Sequence, residues 1–184
     1  SGPWYLKLPC LPVRTLLNHW RQRPYCLFLD SASRGITGRY SFLMADPAHW
    51  TESQVANVSQ WQELRSLVEP FHVEGSSSLP PFCGGAAGLL SYDWCRAIED
   101  IPEAELELFP TPRIAMGIYD LVVAWDHQES VCWLISNGFP ETDLQQRAAL
   151  ASQQLSSTYQ QLRTILAAQS TSKNLAVNCG GFEE

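Results

Sequence analysis

The sequence predicts a mixed α+β domain, in which a layered β-sheet carries packed helices. Its 184 residues suffice for one substantial domain, and 45% of them are hydrophobic, as in a globular protein. Short apolar runs of strand length follow one another without regular alternation with helices. A long apolar stripe at helical spacing comes near the end of the chain. This irregular order favours α+β over a doubly wound α/β sheet.

The first third of the chain predicts a strand, a helix and two further strands. The strand-like "WYLKL" is followed by Pro12, which opens a short helix with apolar side chains on one side, namely Leu16, Leu17 and Trp20. "YCLFLDSA" is a continuous apolar run ended by Asp-Ser and predicts a buried strand. "GRYSFLMADP" predicts the next strand, with Asp-Pro as its stop.

Two further helices are predicted from capping signals. Ser59 with Gln62 has the S-x-x-Q form of a capping box, and a helical face follows as far as Pro70. Thr142 with Gln145 has the same form and opens the longest helix. The apolar stripe of this helix is expected to face the core and comprises Leu144, Ala148, Ala151, Leu155, Tyr159, Leu162 and Leu166.

Between these two helices the sequence predicts a loop, a glycine-rich strand and a hairpin. "EGSSSLPP", residues 74–81, is too polar and too rich in proline for a regular element and predicts an internal Ser/Pro-rich loop. Residues 99–112 form an acidic segment rich in Glu and Pro. "RIAMGIYDLVVAWDHQESVCWLISNG" predicts two β-runs around an Asp-His-Gln-Glu-Ser turn, and therefore a β-hairpin.

The glycines of "PFCGGAAGLLSYDW" raise the question of a phosphate-binding loop. A Walker loop needs Gly-Lys-Ser/Thr at its end, whereas Gly88 is followed by two leucines. A dinucleotide fingerprint needs G-x-G-x-x-G between strand and helix, a spacing that "GGAAG" lacks. The stretch therefore predicts a strand kept thin for close packing. Tyr92 and Trp94 are expected to be packing anchors, and Asp93 a hydrogen-bond acceptor at the strand end.

No set of titratable residues has the spacing of a catalytic or metal site. Asp126 and His127 are adjacent at the predicted turn, where both residue types are common. Asp93 and Asp120 each follow a tyrosine near a strand end, where a carboxylate can accept backbone N–H bonds. We therefore favour structural roles for these residues. No Cys-x-x-Cys pair or histidine spacing suggests zinc.

Composition narrows the expected partners and compartment. The formal charge is −7 without a basic cluster, so we expect neither nucleic acid nor an anionic membrane as a partner. No window approaches the ~18–20 consecutive apolar residues of a membrane span. Of the six cysteines, Cys26, Cys83 and Cys132 lie in apolar runs, as small buried hydrophobes do. This favours a reducing cytoplasm, while the even cysteine count keeps a secreted protein open.

Three blocks of the sequence occur together, in the order "FLDSASRGITGRYSFLMADP", "PPFCGGAAGLLSYDWCRAIEDIP" and "MGIYDLVVAWDH". They resemble the N-terminal region of component I of the chorismate-utilising enzymes, a family that comprises anthranilate synthase and aminodeoxychorismate synthase. Their order and separations are similar to those of the family. Within them, "LDSA", "GLLSYDW" and "GIYD" resemble the aminodeoxychorismate branch, because anthranilate synthases more often show "LLES" and "GYFGYD" at these places.

The resemblance implies that residues 1–184 are the N-terminal domain of component I, a fragment without the catalytic, chorismate-binding half. The parent enzyme would convert chorismate and ammonia, which a glutaminase partner subunit releases from glutamine, to 4-amino-4-deoxychorismate for para-aminobenzoate and folate. Family members carry their Mg²⁺-binding glutamates and catalytic groups in the C-terminal half, so no cofactor or catalytic residue is expected in this chain. The alternatives are anthranilate synthase component I, of tryptophan biosynthesis, and a stand-alone small-molecule-binding regulatory module.

The resemblance also implies a tryptophan pocket, which is feedback-regulatory in many anthranilate synthases. The positions that match its N-terminal lining are Ser31, Arg39, Tyr40, Ser41 and Phe42. The two serine hydroxyls could hydrogen-bond the ammonium or carboxylate of the ligand, and Tyr40 or Phe42 could pack on its indole ring. The alternative is an interior turn whose polar groups are satisfied within the protein.

Overall fold

The computed structural model describes residues 2–31, 33, 35–69, 78–102 and 111–178. In these ranges the chain forms two antiparallel β-sheets with packed helices, which confirms the α+β class. The strands are β1 Trp4–Pro9, β2 Leu27–Leu29, β3 Tyr40–Met44, β4 His49–Ser53, β5 Gly85–Leu90, β6 Ile114–Tyr119, β7 Val122–Asp126 and β8 Val131–Ser136. The helices are α1 Val13–Trp20, α2 Val58–Val68 and α3 Leu144–Asn178, with short 3-10 helices at Ile36–Gly38 and Tyr92–Ala97. None of the described helices is long and apolar enough to cross a membrane.

The larger sheet has the strand order β1-β8-β7-β3-β2. β1 pairs with β8 along its whole length, from Trp4 opposite Ser136 to Pro9 opposite Val131. β7 and β8 form the predicted hairpin. The prediction of a buried strand at "YCLFLDSA" was wrong, because β2 is a three-residue strand at the sheet edge in which Leu29 is 44% exposed.

One face of this sheet packs against α1 and α3 and forms the main core. The fully buried Trp125 on β7 lies in this core, and its indole N–H donates to the Leu11 carbonyl at 2.8 Å. α1 contributes Leu16 and Trp20 to the same core, as its predicted apolar side requires. The N-terminal segment is thus fixed to the middle of the sheet both by packing and by a buried hydrogen bond.

α3 presents a slightly different stripe from the one that its sequence predicts. Leu144 is 56% exposed and Tyr159 is 37% exposed, so neither belongs to the core. The buried positions are Ala151, Leu155, Thr158 and Leu162. After Leu155 the next buried residue is Thr158 rather than Tyr159, so the smaller threonine side chain packs against the sheet.

Both predicted capping boxes were wrong. The N-cap of α2 is Asn57, whose side-chain oxygen accepts the Ser59 backbone N–H at 2.9 Å. At the start of α3, the Asp143 carboxylate accepts the backbone N–H groups of Gln145 and Gln146, each at 3.0 Å. In each case a nearby Asn or Asp caps the helix, two residues before the proposed Ser59 in α2 and one residue after the proposed Thr142 in α3.

The smaller sheet has the order β4-β6-β5. The sequence predicts one β-run before the hairpin turn, but the structure divides it into β6 and β7, which belong to different sheets. Asp120 and Leu121 alone separate the two strands. The predicted loop at 74–81 and the acidic segment at 99–112 lie partly outside the described residues, since 74–77 and 103–110 are not among them.

The glycine-rich stretch forms the edge strand β5, as predicted. A Cβ atom added at Gly88 would lie 2.2 Å from the Ala115 carbonyl oxygen of β6, so the close approach of the two backbones requires glycine there. The strand ends at Leu90, however, and the next residues form a 3-10 helix. Trp94 is buried as predicted, whereas the prediction for Tyr92 was wrong, because this side chain is 89% exposed.

Asp93, in the same 3-10 helix, is a hydrogen-bond acceptor as predicted, but it lies beyond the end of β5 and accepts from side chains. Its carboxylate pairs with two guanidinium groups, that of Arg113 at 2.8 Å and that of Arg96 at 3.1 Å. It therefore joins the 3-10 helix to the start of β6 through ion pairs, and the Arg96 and Arg113 side chains donate hydrogen bonds to it.

Asp120 accepts buried hydrogen bonds at the point where the two sheets diverge. Oδ1 accepts the backbone N–H groups of Asn137 at 2.8 Å and Phe139 at 3.0 Å, and Oδ2 accepts the Ser136 hydroxyl at 3.0 Å. Burial raises the pKa of this carboxyl, while hydrogen bonds from these residues and from Gln154 oppose the rise. The predicted role as a backbone N–H acceptor at a strand end is confirmed.

Asp120→Ala is expected to lower the free energy of unfolding by about 3 kcal/mol, because two buried backbone N–H groups lose their acceptor. Asp120→Asn keeps a carbonyl oxygen in place of Oδ1 and is expected to cost less than about 1 kcal/mol. Urea unfolding followed by tryptophan fluorescence measures both values. Equal losses in the two variants would show that the negative charge matters and would contradict this account.

Asp126 holds the turn between β7 and β8 and ties it to β3. Its Oδ1 accepts the backbone N–H groups of Gln128 and Glu129, each at 3.1 Å. Its carboxylate also receives a two-point ion pair from Arg39, with Nη2 at 2.6 Å from Oδ2 and Nε at 3.0 Å from Oδ1. The hydrogen bond from Arg39 is the main reason why the pKa of Asp126 is lowered.

Arg39→Gln is expected to lower the urea midpoint at pH 7, and the difference from the unsubstituted chain should shrink below about pH 4. The pKa of Asp126 is lowered in the folded state, so its pairing stabilises the fold above the ordinary value of 3.8 and is lost as pH falls through the lowered value. Urea midpoints at pH 7, 5 and 3.5 test this expectation. Arg163→Gln, at an exposed position on α3, is the matched control. A pH-independent difference for Arg39→Gln would exclude the linkage.

Candidate functional site

The five residues predicted to line a ligand pocket lie around β3, but they do not share one surface. Side chains alternate between the two faces of a strand, so Ser41 points away from Tyr40 and Phe42. Ser41 is fully buried, whereas Tyr40 and Phe42 are half-buried on the opposite face. Ser31 precedes the strand in a loop, and Arg39 directly precedes Tyr40.

The two serines belong to one hydrogen-bonded network. The Ser31 hydroxyl donates to the Tyr40 carbonyl at 2.6 Å, and the Ser31 backbone N–H donates to Ser41 Oγ at 3.2 Å. Ser41 Oγ also lies 2.8 Å from Asp30 Oδ1 and 2.7 Å from His127 Nε2. A hydroxyl has one proton to donate, and the carboxylate can only accept it. His127 therefore donates from Nε2, and protein groups occupy both serine hydroxyls.

This serine, histidine and aspartate arrangement lacks the geometry of a catalytic triad. In a triad the carboxylate orients the histidine through its second ring nitrogen, and the serine is open to substrate. Here the carboxylate of Asp30 and the ring of His127 meet the same Ser41 hydroxyl, which is fully buried. The network fixes the loop before β3 against the hairpin, and it offers no nucleophile.

On the opposite face, Arg39 and Tyr40 line a small polar cavity of about 190 Å³. Its wall combines two cations, two carboxylates and two aromatic rings with parts of the 78–80 loop, and it consists of Lys7, Arg39, Tyr40, Ser78, Leu79, Pro80, Asp126, Glu129, Val131 and Trp133. The Lys7 ammonium lies 5.0 Å from the centroid of the Trp133 ring, and the Arg39 guanidinium lies 4.9 Å from that of Tyr40. These are cation–π contacts.

Hydrogen bonding and burial determine the protonation states of the residues that line the cavity. The hydrogen bond with Asp126 raises the pKa of Arg39 and lowers that of Asp126, so both are ionised at neutral pH. Burial raises the pKa of the Tyr40 hydroxyl, which is therefore neutral at that pH. A zwitterion would meet a positive and a negative group within the same cavity.

Phe42 packs among aromatic and apolar side chains. Its ring lies 6.2 Å from that of Tyr40 and 5.8 Å, edge on, from that of Phe82. It packs with Met44 and Tyr119 on one side and with Trp133 on the other. The structure thus brings Arg39 and Tyr40 together at a cavity, and it places Ser31, Ser41 and Phe42 outside that cavity.

Sequence reasoning missed Lys7 and Trp133 as cavity residues. They lie on β1 and β8, directly opposite each other in the antiparallel register. The alternation of "WYLKL" places Tyr5 and Lys7 on one face, but no local pattern shows that β8 is the partner strand. The missing information was the strand pairing.

A second cavity, of about 450 Å³, lies between α2 and the edge strand β5. Its wall is mainly apolar and contains Trp61, Leu64, Arg65, Val68, Glu69 and Ala86. Across the described ranges, no group of three or more His, Cys, Asp or Glu side chains is arranged to hold a metal ion. The polar cavity at Arg39 remains the better candidate, because charged groups and rings converge there.

Comparison with known proteins identifies relatives by sequence and by fold. No family model matches the chain. The protein named aminodeoxychorismate synthase component 1 of Bacillus subtilis is 32% identical over 130 residues, covering 64% of this chain and 27% of that protein. Anthranilate synthase component 1 of Mycolicibacterium smegmatis is 27% identical over 130 residues, covering 62% of this chain and 25% of that protein.

The crystal structure of anthranilate synthase component I from Streptococcus pneumoniae shares the fold. It superposes with a TM-score of 0.52 at 21% sequence identity, over 84% of this chain and 35% of that one. The chain spans about a quarter of the length of the two curated relatives, which fits an N-terminal region. By these similarities, the homologues of this chain are component I proteins of the chorismate-utilising synthases, namely aminodeoxychorismate synthase and anthranilate synthase.

Proposed function

We propose that this chain is the N-terminal part of an aminodeoxychorismate synthase component I. The observation that carries the proposal is a comparison at equal length. Over 130 aligned residues the aminodeoxychorismate synthase of Bacillus subtilis is 32% identical, and the anthranilate synthase of Mycolicibacterium smegmatis is 27% identical. The parent enzyme would aminate chorismate to 4-amino-4-deoxychorismate with ammonia from glutamine.

In this proposal the chain is a scaffold and does not catalyse the reaction alone. The described residues support this role, since their buried polar groups, such as Asp120 and Ser41, bind other protein groups. Chorismate, Mg²⁺ and the catalytic groups belong to a C-terminal chorismate-binding domain, and a glutaminase subunit supplies ammonia. We place the enzyme in the cytoplasm.

The product of the native gene that carries this chain should convert chorismate, with ammonium and Mg²⁺, to 4-amino-4-deoxychorismate. Liquid chromatography with mass spectrometry separates this product from anthranilate. Formation of anthranilate would move the chain to the sister branch, and the proposal would be wrong. Absence of both products in a folded, monodisperse sample would also overturn it and would favour a stand-alone regulatory module. A reaction without chorismate is the control.

We further propose that the polar cavity at Arg39 binds tryptophan. Lys7 and Arg39 suit the carboxylate of an amino acid, Asp126 suits its ammonium, and the rings of Tyr40 and Trp133 suit an indole. The cavity of about 190 Å³ is smaller than the ~300 Å³ at which ligand sites usually begin. Binding therefore requires the 78–80 loop to move or further lining from the rest of the protein.

Tyr40→Ala should weaken tryptophan binding by up to about tenfold, because an aromatic contact is lost. Isothermal titration calorimetry of the native gene product with L-tryptophan measures the affinity. Tyr159→Ala, on the outer face of α3, should bind as the unsubstituted protein does. No heat of binding with either protein, or equal affinity for both variants, would refute this site. Micromolar binding by the 184-residue chain alone would favour the stand-alone module.

A further inference from the structure

Two cysteines that differ in solvent exposure, Cys10 and Cys132, lie near the junction between β1 and α1. Every cysteine in the described ranges is a free thiol. Cys10 is exposed and follows the last residue of β1, whereas Cys132 is fully buried on β8. Neither residue belongs to the polar cavity or to the Ser41 network.

The residues on both sides of Cys10 are held to β8. The residue before it, Pro9, is opposite Val131 in the β1–β8 register. The residue after it, Leu11, donates its backbone N–H to Cys132 Sγ at 3.1 Å. The Cys10 thiol is also near enough to Cys132 to raise the pKa of the Cys132 thiol, although burial is the larger cause.

The same segment cannot easily swing away from β8. The Leu11 carbonyl accepts the indole N–H of Trp125 at 2.8 Å, and both groups are buried. Leu11 is therefore held at its N–H by Cys132 and at its carbonyl by Trp125. A disulfide requires two cysteines to approach each other without backbone movement, and these contacts keep the residues on both sides of Cys10 beside β8.

We propose that Cys10 and Cys132 are a peroxide-responsive thiol pair that closes to a disulfide between the β1–α1 junction and β8. Hydrogen peroxide reaches the exposed Cys10, whose thiolate attacks one peroxide oxygen, so that the O–O bond breaks and Cys10 becomes a sulfenic acid. The Cys132 sulfur then attacks the Cys10 sulfur, the S–O bond breaks, and the departing hydroxide takes the Cys132 proton as water. In total, two thiols lose two hydrogens and one peroxide becomes two waters.

The buried Cys132 makes both the formation and the reduction of the disulfide slow. Burial raises the pKa of the Cys132 thiol to about 12, and the neighbouring Cys10 thiol adds to the rise. The second step is therefore slow, because the thiolate is the nucleophile. Reduction is slow as well, since an external thiol reaches only the Cys10 sulfur and must expel Cys132, a poor leaving group. The disulfide forms on oxidant exposure and then persists.

Oxidation of the full, natively folded chain with hydrogen peroxide tests the pair. Remaining thiols are alkylated with N-ethylmaleimide, and the protein is digested with trypsin without reductant. The expected product links peptide 8–14, which contains Cys10, to peptide 114–147, in which Cys132 is the one cysteine. Its mass is two hydrogens below the sum of the two peptides, and dithiothreitol separates them.

Cys10→Ser should abolish this linked peptide, while Cys95→Ser, at a half-buried cysteine outside the pair, should leave its yield unchanged. Chain unfolded in urea before oxidation should lose the preference for this pair. Two outcomes would overturn the proposal. One is Cys10 recovered as sulfinic or sulfonic acid without the linked peptide. The other is a linkage of Cys10 to any other cysteine in the folded chain.

Discussion

The pairing of β1 with β8 is the contact on which most of the other features depend. It places Lys7 opposite Trp133 and Leu8 opposite Cys132, so residues from the first and the last described strands of the chain become neighbours. It also delivers Leu11 to the indole of Trp125 and positions α1 over the core. Without this pairing the polar cavity would lose one wall, and Cys10 would have no partner thiol. A long-range strand pair of this kind carries a large entropic cost of closure, which the buried apolar core offsets.

Because side chains alternate along β3, one face of the strand carries a buried hydrogen-bond network and the other face lines the polar cavity. Ser41 faces the helical layer and closes a buried network with Asp30 and His127. Tyr40, one residue earlier, faces the polar cavity with Arg39 and Asp126. A ligand entering the cavity therefore meets the groups of one face, while the other face stabilises the loop. The serine hydroxyls of a proposed pocket cannot serve both tasks, because their hydrogen bonds are already made within the protein.

The sequence predicts well the features that local spacing determines. The α1 face, the hairpin at Asp126, the thin glycine strand and the acceptor role of Asp120 each depend on residues close in the chain or on one residue type at a strand end. Apart from the two helix caps, where a nearby Asn or Asp replaces the predicted Ser or Thr, the failures originate in long-range contacts. The split between β6 and β7 depends on the two sheets that receive them, and the exposure of Tyr92 depends on where β5 stops. Of the candidate site, Arg39 and Tyr40 reach a common cavity, whereas Lys7 and Trp133 could not be found without the β1–β8 register.

Of the two cations that line the polar cavity, Arg39 is ion-paired with Asp126 and Lys7 is not ion-paired within the described residues. This difference affects how an anionic group could bind there. Arg39 is bound at two points by Asp126, so a ligand carboxylate would compete with a charge-assisted pair. Asp126 can release Arg39 at reduced cost, because its Oδ1 also accepts two backbone N–H groups of the turn. Lys7 has no carboxylate within ion-pair distance among the described residues, and it lies over the Trp133 ring. In the proposed binding mode, a ligand carboxylate would pair with Lys7 without breaking an existing ion pair, and the Arg39–Asp126 pair could remain intact.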